Sequence, residues 1–232
     1  MQGVNPERKQ YSIVLIGLFN PLMFQPEWFG KNDVISTEDA EFARSQDNSL
    51  PTIITPQLTL FRTSQLSITV EPNRFQVVAE KEPMITIKDF TKKTFEKLGG
   101  LTIKAYGFNF SAHYRFENEI KINAFADKLT PKQYWESLLG KDISGENRKG
   151  GLSLLQMSQE KENGKGQIFV ALQRSVHITH GIFLTCNDHT NIDEGDSAAD
   201  IVMEMIESDF GTSFENMTKI QKGIIAEASK NE

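Results

Sequence analysis

The chain has few of the residues that build disulfides, cysteine-rich metal sites or a broadly basic surface. Its single cysteine, Cys186, excludes an intrachain disulfide and a zinc site made of several cysteines. Acidic residues outnumber basic ones by 31 to 25, for a formal charge of −6, which excludes a generally basic surface but leaves a local basic patch open. Hydrophobic residues make up 38% of the chain, enough for a packed core, so wholesale disorder is excluded as well.

Long hydrophobic runs are absent too. The apolar run near the N-terminus, from Ile13 to Phe19, is far shorter than the ~20 residues that span a bilayer. No small-residue cleavage pattern follows it, as one would after a signal peptide. We therefore expect no membrane partner and a reducing, cytoplasmic location.

What the chain has in excess is phenylalanine, with 16 Phe beside 4 Tyr and 2 Trp. Phe108, Phe110 and Phe116 share one face of a long predicted strand, and Phe90 and Phe95 lie on the inward stripe of a predicted helix. This pattern predicts a thick aromatic interface between sheet and helices. We expect the same for the aromatic segment from residue 24 to 29, with a binding surface as the alternative.

Short β-type runs alternate with helical stripes in two similar series. In the first half, a buried strand over 12–19 is followed by short helices, four short strands between Ile53 and Ala79, and a helix from Ile87 to Leu98. The second half begins with a strand from Leu101 to Phe116 and repeats this order. The prediction is an α+β fold in which a duplicated strand–helix–antiparallel strands–helix unit forms a curved antiparallel sheet with helices packed on one face. The repeats would span 1–100 and 101–232 in one pseudo-symmetric unit. Chance similarity of the halves is the alternative.

Several local signals mark the second half. Thr130-Pro131-Lys132-Gln133 is typical of a capping box and predicts a helix over 134–139 that ends at Gly140. Asn163-Gly164 predicts a tight hairpin, followed by a third strand from Val176 to Cys186 that holds His180 on its buried face. Gly211 is expected to separate two C-terminal helices.

The order of elements resembles the TATA-binding-protein-like, or more loosely helix-grip, fold. DNA-binding members of that fold insert phenylalanine pairs into the minor groove from a basic concave sheet. Here the predicted wet strand faces carry mixed polar residues that are not notably basic: Ser67, Thr69, Glu71, Asn109, Ser111 and His113. Duplex nucleic acid is therefore disfavoured as a partner.

The opening segment carries a second resemblance. Ile13-Val-Leu-Ile-Gly-Leu-Phe-Asn-Pro21, followed by Phe24-Gln-Pro-Glu-Trp-Phe29, resembles the start of a sporadically distributed family of uncharacterised bacterial proteins of similar length. The resemblance implies a bacterial or phage origin, in mobile-element or defence gene neighbourhoods. It implies no reaction and assigns no catalytic residues.

Two groups of polar residues are candidate binding sites. Asn109, His113 and Arg115 alternate along the long strand, so they share its wet face and form a candidate ligand site. Residues 187–218 hold nine acidic side chains and no Lys or Arg, which is typical of a solvated helix face but also fits a docking surface for a basic partner. The partner-binding candidates in this segment are Asp193, Glu194, Asp196, Asp200 and Glu204.

The sequence names no catalytic residue, metal or cofactor. Cys186 falls on the apolar register of its strand, so we expect a buried thiol; the alternative is a nucleophile activated by His189. His189 with Asp188, Asp193 and Glu194 is an alternative metal cluster, although a solvated loop is the expected state of residues 187–196.

Three functions fit these observations. The favoured one is a non-enzymatic interaction protein that self-associates, as a homodimer, or docks to a protein partner. The alternatives are an enzyme or small-ligand binder with a site at Asn109, His113 and Arg115, and a single-stranded nucleic-acid binder that stacks bases on aromatic rings.

Overall fold

The chain folds around one antiparallel sheet. The structure is a computed structural model that describes residues 5–45, 51–140, 143 and 148–229. Within this part of the chain the strands are β1 (Arg8–Gly17), β2 (Ile53–Ile54), β3 (Thr59–Arg62), β4 (Leu66–Glu71), β5 (Arg74–Ala79), β6 (Ile103–Arg115), β7 (Leu154–Glu160), β8 (Gly166–Arg174) and β9 (Gly181–Asn191). The α-helices are α1 (Pro26–Lys31), α2 (Thr37–Arg44), α3 (Ile85–Lys97), α4 (Glu119–Leu129), α5 (Gln133–Leu139) and α6 (Ala199–Ser229).

The strand order is β2-β3-β4-β5-β1-β6-β9-β8-β7, and every neighbouring pair is antiparallel. β1 and β6 form the central pair. β5 lies beside β1 and precedes α3, and β9 lies beside β6 and precedes α6. The sheet is curved and its helices pack on one face, so the predicted α+β fold class is confirmed.

The core lies between the sheet and its helices. On β4, Leu66, Ile68 and Val70 point to the core and the intervening residues do not, because side chains alternate along a strand. Phenylalanines fill the gap between the layers: in the first half Phe75 contacts Phe95 with ring centroids 5.0 Å apart. Tyr11 stacks on Phe110 at 5.1 Å across the central strand pair. The predicted aromatic interface is thus confirmed, and the two halves share one continuous core.

The C-terminal region is one helix of 31 residues, so the predicted break at Gly211 is wrong. Glycine costs about 1 kcal/mol in a helix interior. Phe210 and Phe214 on either side of Gly211 are both buried against the sheet, and this packing outweighs the cost. Among the described helices, none is long and apolar enough to cross a membrane.

The predicted capping box before α5 is also wrong, although the helix exists and ends at Gly140 in a left-handed conformation. Thr130 is instead the C-cap of α4: its backbone leaves the helical region before Pro131, and its hydroxyl donates to the Ala126 carbonyl at 2.8 Å. α5 therefore begins at Gln133 with no side-chain cap. α3 begins at Ile85, two residues before the predicted Ile87, and the Thr86 hydroxyl in its first turn donates to the Pro83 carbonyl.

The hairpin around Asn163-Gly164 is confirmed, but the third strand lies further along the chain than expected. Ser175 accepts hydrogen bonds from the backbone N–H groups of His177 and Ile178 and holds residues 175–180 in a turn. His180 lies in this turn with a φ of 55° and contacts Glu119 at the surface, so its predicted core position is wrong. Residues 187–191 belong to β9 and are not the loop that we expected.

Candidate interaction surfaces

The open face of the sheet carries the three predicted ligand-binding residues. Asn109 lies at its centre and pairs across the strands with Ser12 and Asn187. The Asn187 side-chain amide donates to the Asn109 Oδ1 at 2.6 Å. This interaction fixes the orientation of both amides and leaves them half-buried in a polar row across the middle of the sheet.

His113 lies nearer the edge of that face, in a cluster of rings. Its Nδ1 is 2.8 Å from the Ser175 Oγ, and its ring centroid is 4.6 Å from that of Phe183 and 5.3 Å from that of His177. Desolvation, together with the neighbouring His177 and Arg8, lowers the pKa of His113. The imidazole is therefore neutral at pH 7. Together with Phe183 and His177 it forms a small aromatic patch on an otherwise polar surface.

Arg115 is already engaged. Its guanidinium binds both carboxylate oxygens of Glu7, at 2.5 and 3.0 Å, and donates to the Thr179 carbonyl at 3.1 Å. The hydrogen bond from Arg115 lowers the pKa of Glu7. Asn109 and Arg115 are six residues apart on one strand, which is about 20 Å. The structure thus places the three predicted residues on one face but does not bring them together into one site.

The open face of the sheet carries four arginines, and three of them are paired with glutamates. By strand register these arginines are Arg8, Arg62, Arg74 and Arg115. Arg62 pairs with Glu80, Arg74 with Glu71 and Arg115 with Glu7, and Glu160 adds a further carboxylate at the end of β7. Positive and negative charges therefore balance among these residues, whereas the whole chain has a formal charge of −6.

The acidic C-terminal segment serves partly as an internal contact. Asp193 pairs with Lys165 at 2.6 Å, and Glu207 binds both Lys88 and Lys92, which joins α6 to α3. Of the other predicted partner-binding residues, Glu194, Asp200 and Glu204 are exposed and Asp196 is half-buried in a one-turn 3-10 helix. They form a strip on the surface and do not converge on a pocket.

Sequence reasoning missed the exposed apolar surface of α5. None of its residues is buried, and its four large apolar side chains are between 50% exposed, at Trp135, and 77% exposed, at Leu138. The others are Tyr134 and Leu139. Glu136 is less exposed than any of them. The helical spacing of these apolar residues was visible in the sequence, but spacing alone does not show whether the stripe faces inward or outward.

Two alternatives from the sequence, a Cys186 nucleophile and a metal cluster around His189, fail on geometry. Cys186 is fully buried on the helix side of β9, and burial raises the pKa of its thiol to about 11, the opposite of what a nucleophile needs. His189 points to the other face, since it is three residues away on the same strand. For the same reason adjacent Asp188 and His189 do not converge, and the described residues hold no group of His, Cys, Asp and Glu suited to a metal ion.

Asp188 instead belongs to a buried polar cluster on the helix side. It forms an ion pair with Lys161, whose ammonium also donates to the Thr190 hydroxyl at 2.6 Å. Nearby, the Tyr106 hydroxyl donates to Asp209 of α6 at 2.5 Å, and desolvation together with this carboxylate raises the pKa of Tyr106. The Lys161–Asp188 ion pair connects the turn after β7 to β9, and the Tyr106–Asp209 hydrogen bond connects β6 to α6.

A surface cleft of about 220 Å³ lies between α2, the β3–β4 turn and α3. Asp39, Asp89 and Lys93 line it above Phe90 and Leu66. None of the predicted site residues lies in this cleft.

Comparison with known proteins adds no assignment, since no protein-family model and no curated protein matches the chain.

Proposed function

We propose that this protein is a non-enzymatic interaction protein that docks a protein partner on α5. The observation that carries the proposal is the outward apolar surface of α5, made of Tyr134, Trp135, Leu138 and Leu139. Contiguous apolar patches on soluble proteins mark interaction sites, and tryptophan and tyrosine are over-represented among the residues that dominate binding.

The spacing of these residues specifies the kind of partner. Tyr134 and Leu138, and Trp135 and Leu139, are four residues apart, so the four side chains form one stripe along the helix. A stripe of this kind fits an apolar groove on another protein. Fully burying one such side chain contributes about 1.5–3 kcal/mol, so the loss of one contact weakens binding by roughly tenfold or more.

The experiment places a photo-cross-linking amino acid at Leu138 in the full chain, in its host cells. The matched position is Glu204, which is also exposed but lies in the acidic segment. We expect a defined adduct from Leu138 and none from Glu204. The purified partner should then bind the native chain, and Trp135→Ser should weaken that binding at least tenfold while Glu204→Ser leaves it unchanged. Adducts from Glu204 alone would move the docking surface to the acidic segment, and binding unaffected by Trp135→Ser would refute the role of α5.

A second candidate, binding of single-stranded nucleic acid, is favoured by the open face of the sheet. Arg8, which lies opposite His113 across the strands, and the ring cluster of His113, Phe183 and His177 supply positive charge and stacking surfaces. Anisotropy with a labelled mixed oligonucleotide at low salt tests this candidate. Arg8→Gln should weaken binding, and Lys219→Gln on α6 should not; no binding at low salt refutes it.

The origin and ancestry of the chain are part of the proposal. The equivalent strand orders on the two sides of the β1–β6 pair support a duplication with halves at 1–100 and 101–232, and a likeness to the TATA-binding-protein-like fold. The opening segment from Ile13 to Phe29 supports membership of the sporadic bacterial family, with a cytoplasmic location.

A further inference from the structure

We propose that β7, which forms one edge of the sheet, pairs with β7 of a second copy of this chain. The strand is last in the sheet order, so one side of its backbone has no strand beside it in the described part of the chain. It is seven residues long and almost entirely exposed, with Leu154 at 54% and Met157 at 65%. This interface uses residues outside α5 and does not depend on the partner proposed for that helix.

The two edges of the sheet differ in a way that favours pairing at β7. At the opposite edge, β2 has two residues and lies between Pro51 and Pro56. Short length and proline are devices by which natural proteins prevent edge-to-edge association. β7 has none of them: it contains no proline and no lysine, and Glu160 is its only charged residue. An edge of this kind is a template for another strand.

A second copy fits this edge because the strand is complementary to itself. Two identical strands that pair antiparallel are related by a two-fold axis perpendicular to the sheet, which keeps both helix layers on the same side. With the axis at Met157, the middle residue, Met157 faces its own copy, and Leu154 faces Glu160 of the other chain. Like charges therefore do not oppose each other.

β7 is also ordered along its whole length before a second copy binds. β7 is paired with β8 along its whole length, from Leu154 opposite Gln173 to Glu160 opposite Gln167. At the end of the strand, Lys161 binds Asp188 and the Thr190 hydroxyl of β9. A strand fixed in this way loses little conformational freedom on association. The pairing would also cover both exposed apolar side chains, one on each face of the sheet.

Sedimentation equilibrium on the full chain, over roughly 1 to 200 µM, tests the proposal because micromolar dissociation constants are measurable in that range. We expect a reversible dimer. Met157→Lys places two like charges in contact at the axis and should raise the Kd more than about 100-fold. The matched control is Val176→Lys, the same kind of change at an exposed apolar position in the turn after β8, and it should leave the Kd unchanged.

A charge-swap experiment separates a lost interface from a misfolded variant. Met157→Lys and Met157→Glu should each be monomeric alone and should form a heterodimer when they are mixed, because residue 157 faces itself. A native chain that is monomeric over the whole range would overturn the proposal, as would a dimer that survives Met157→Lys or a mixture that stays monomeric. Trp135→Ser should leave the dimer intact, so failure of this interface and failure of docking at α5 are distinguishable.

Discussion

Gln221 of α6 is a polar side chain at the centre of the apolar helix–sheet interface, and its replacement gives the sharpest test of that interface. The residue is fully buried. Its amide donates to the carbonyls of Phe110, at 2.9 Å, and Leu184, at 3.3 Å, and accepts the Tyr114 hydroxyl at 3.0 Å. One glutamine thus connects α6 to both β6 and β9.

The cost of Gln221→Leu follows from these contacts. Leucine keeps most of the volume but leaves the buried Tyr114 hydroxyl without an acceptor, which costs about 1–3 kcal/mol. The lost bonds to the two carbonyls bring the expected loss in the free energy of unfolding to about 2–4 kcal/mol. Tyr114→Phe alone should cost about 1 kcal/mol. In the Tyr114→Phe background, Gln221→Leu should cost only about 1 kcal/mol, because no hydroxyl is left orphaned.

The assay is urea denaturation of the four proteins of this double-mutant cycle, followed by far-UV circular dichroism. We expect a coupling energy of about 1–3 kcal/mol between Gln221 and Tyr114. Additivity within about 0.5 kcal/mol would mean that the two side chains act independently. That result, or a cost below about 0.5 kcal/mol for Gln221→Leu alone, would refute the reasoning.

Three further predictions concern single residues. Gly211→Ala should stabilise the protein by about 1 kcal/mol in thermal or urea unfolding, because a Cβ there meets open space and α6 is continuous; destabilisation would indicate that the helix ends there. Cys186 should react with a thiol reagent at pH 8 only as fast as the protein opens, since burial raises its pKa to about 11; immediate labelling of the native chain would contradict its placement. His113 has a folded pKa below 6.5, so the unfolded chain takes up that proton first, and stability should fall as the pH drops through 6.5. His113→Gln should flatten this part of the stability profile relative to the native chain, and an unchanged profile would argue against a neutral, partly buried ring.

Much of the fold follows from local pattern. Alternation along β4 predicted its buried residues, and Asn163-Gly164 predicted the hairpin, because both depend on neighbours in the chain. The boundaries that failed depended on competing contacts. The capping box at Thr130 predicted the start of α5, but Thr130 is the C-cap of α4 and its hydroxyl is bound to the Ala126 carbonyl.

The candidate surfaces were harder to predict than the fold. Asn109, His113 and Arg115 do share a face, as a period of two requires, but their separation along the strand and the pairing of Arg115 with Glu7 depend on how distant segments meet. The outward surface of α5 was not foreseen because an apolar stripe at helical spacing reads the same whether it packs inward or faces solvent.

By itself, the sequence determined the class of molecule: one cysteine excludes a disulfide framework, and the phenylalanine excess together with alternating strand and helix patterns predicts a thick aromatic core in an α+β fold. Tertiary structure alone decided that β1 pairs with β6, that Gln221 lies at the centre of the core, and that β7 and α5 remain exposed. The physical reason is the distance along the chain over which each kind of contact acts. Periodicity along the chain reports which side of an element is apolar, whereas the neighbour that covers that side comes from another part of the chain, or from another molecule.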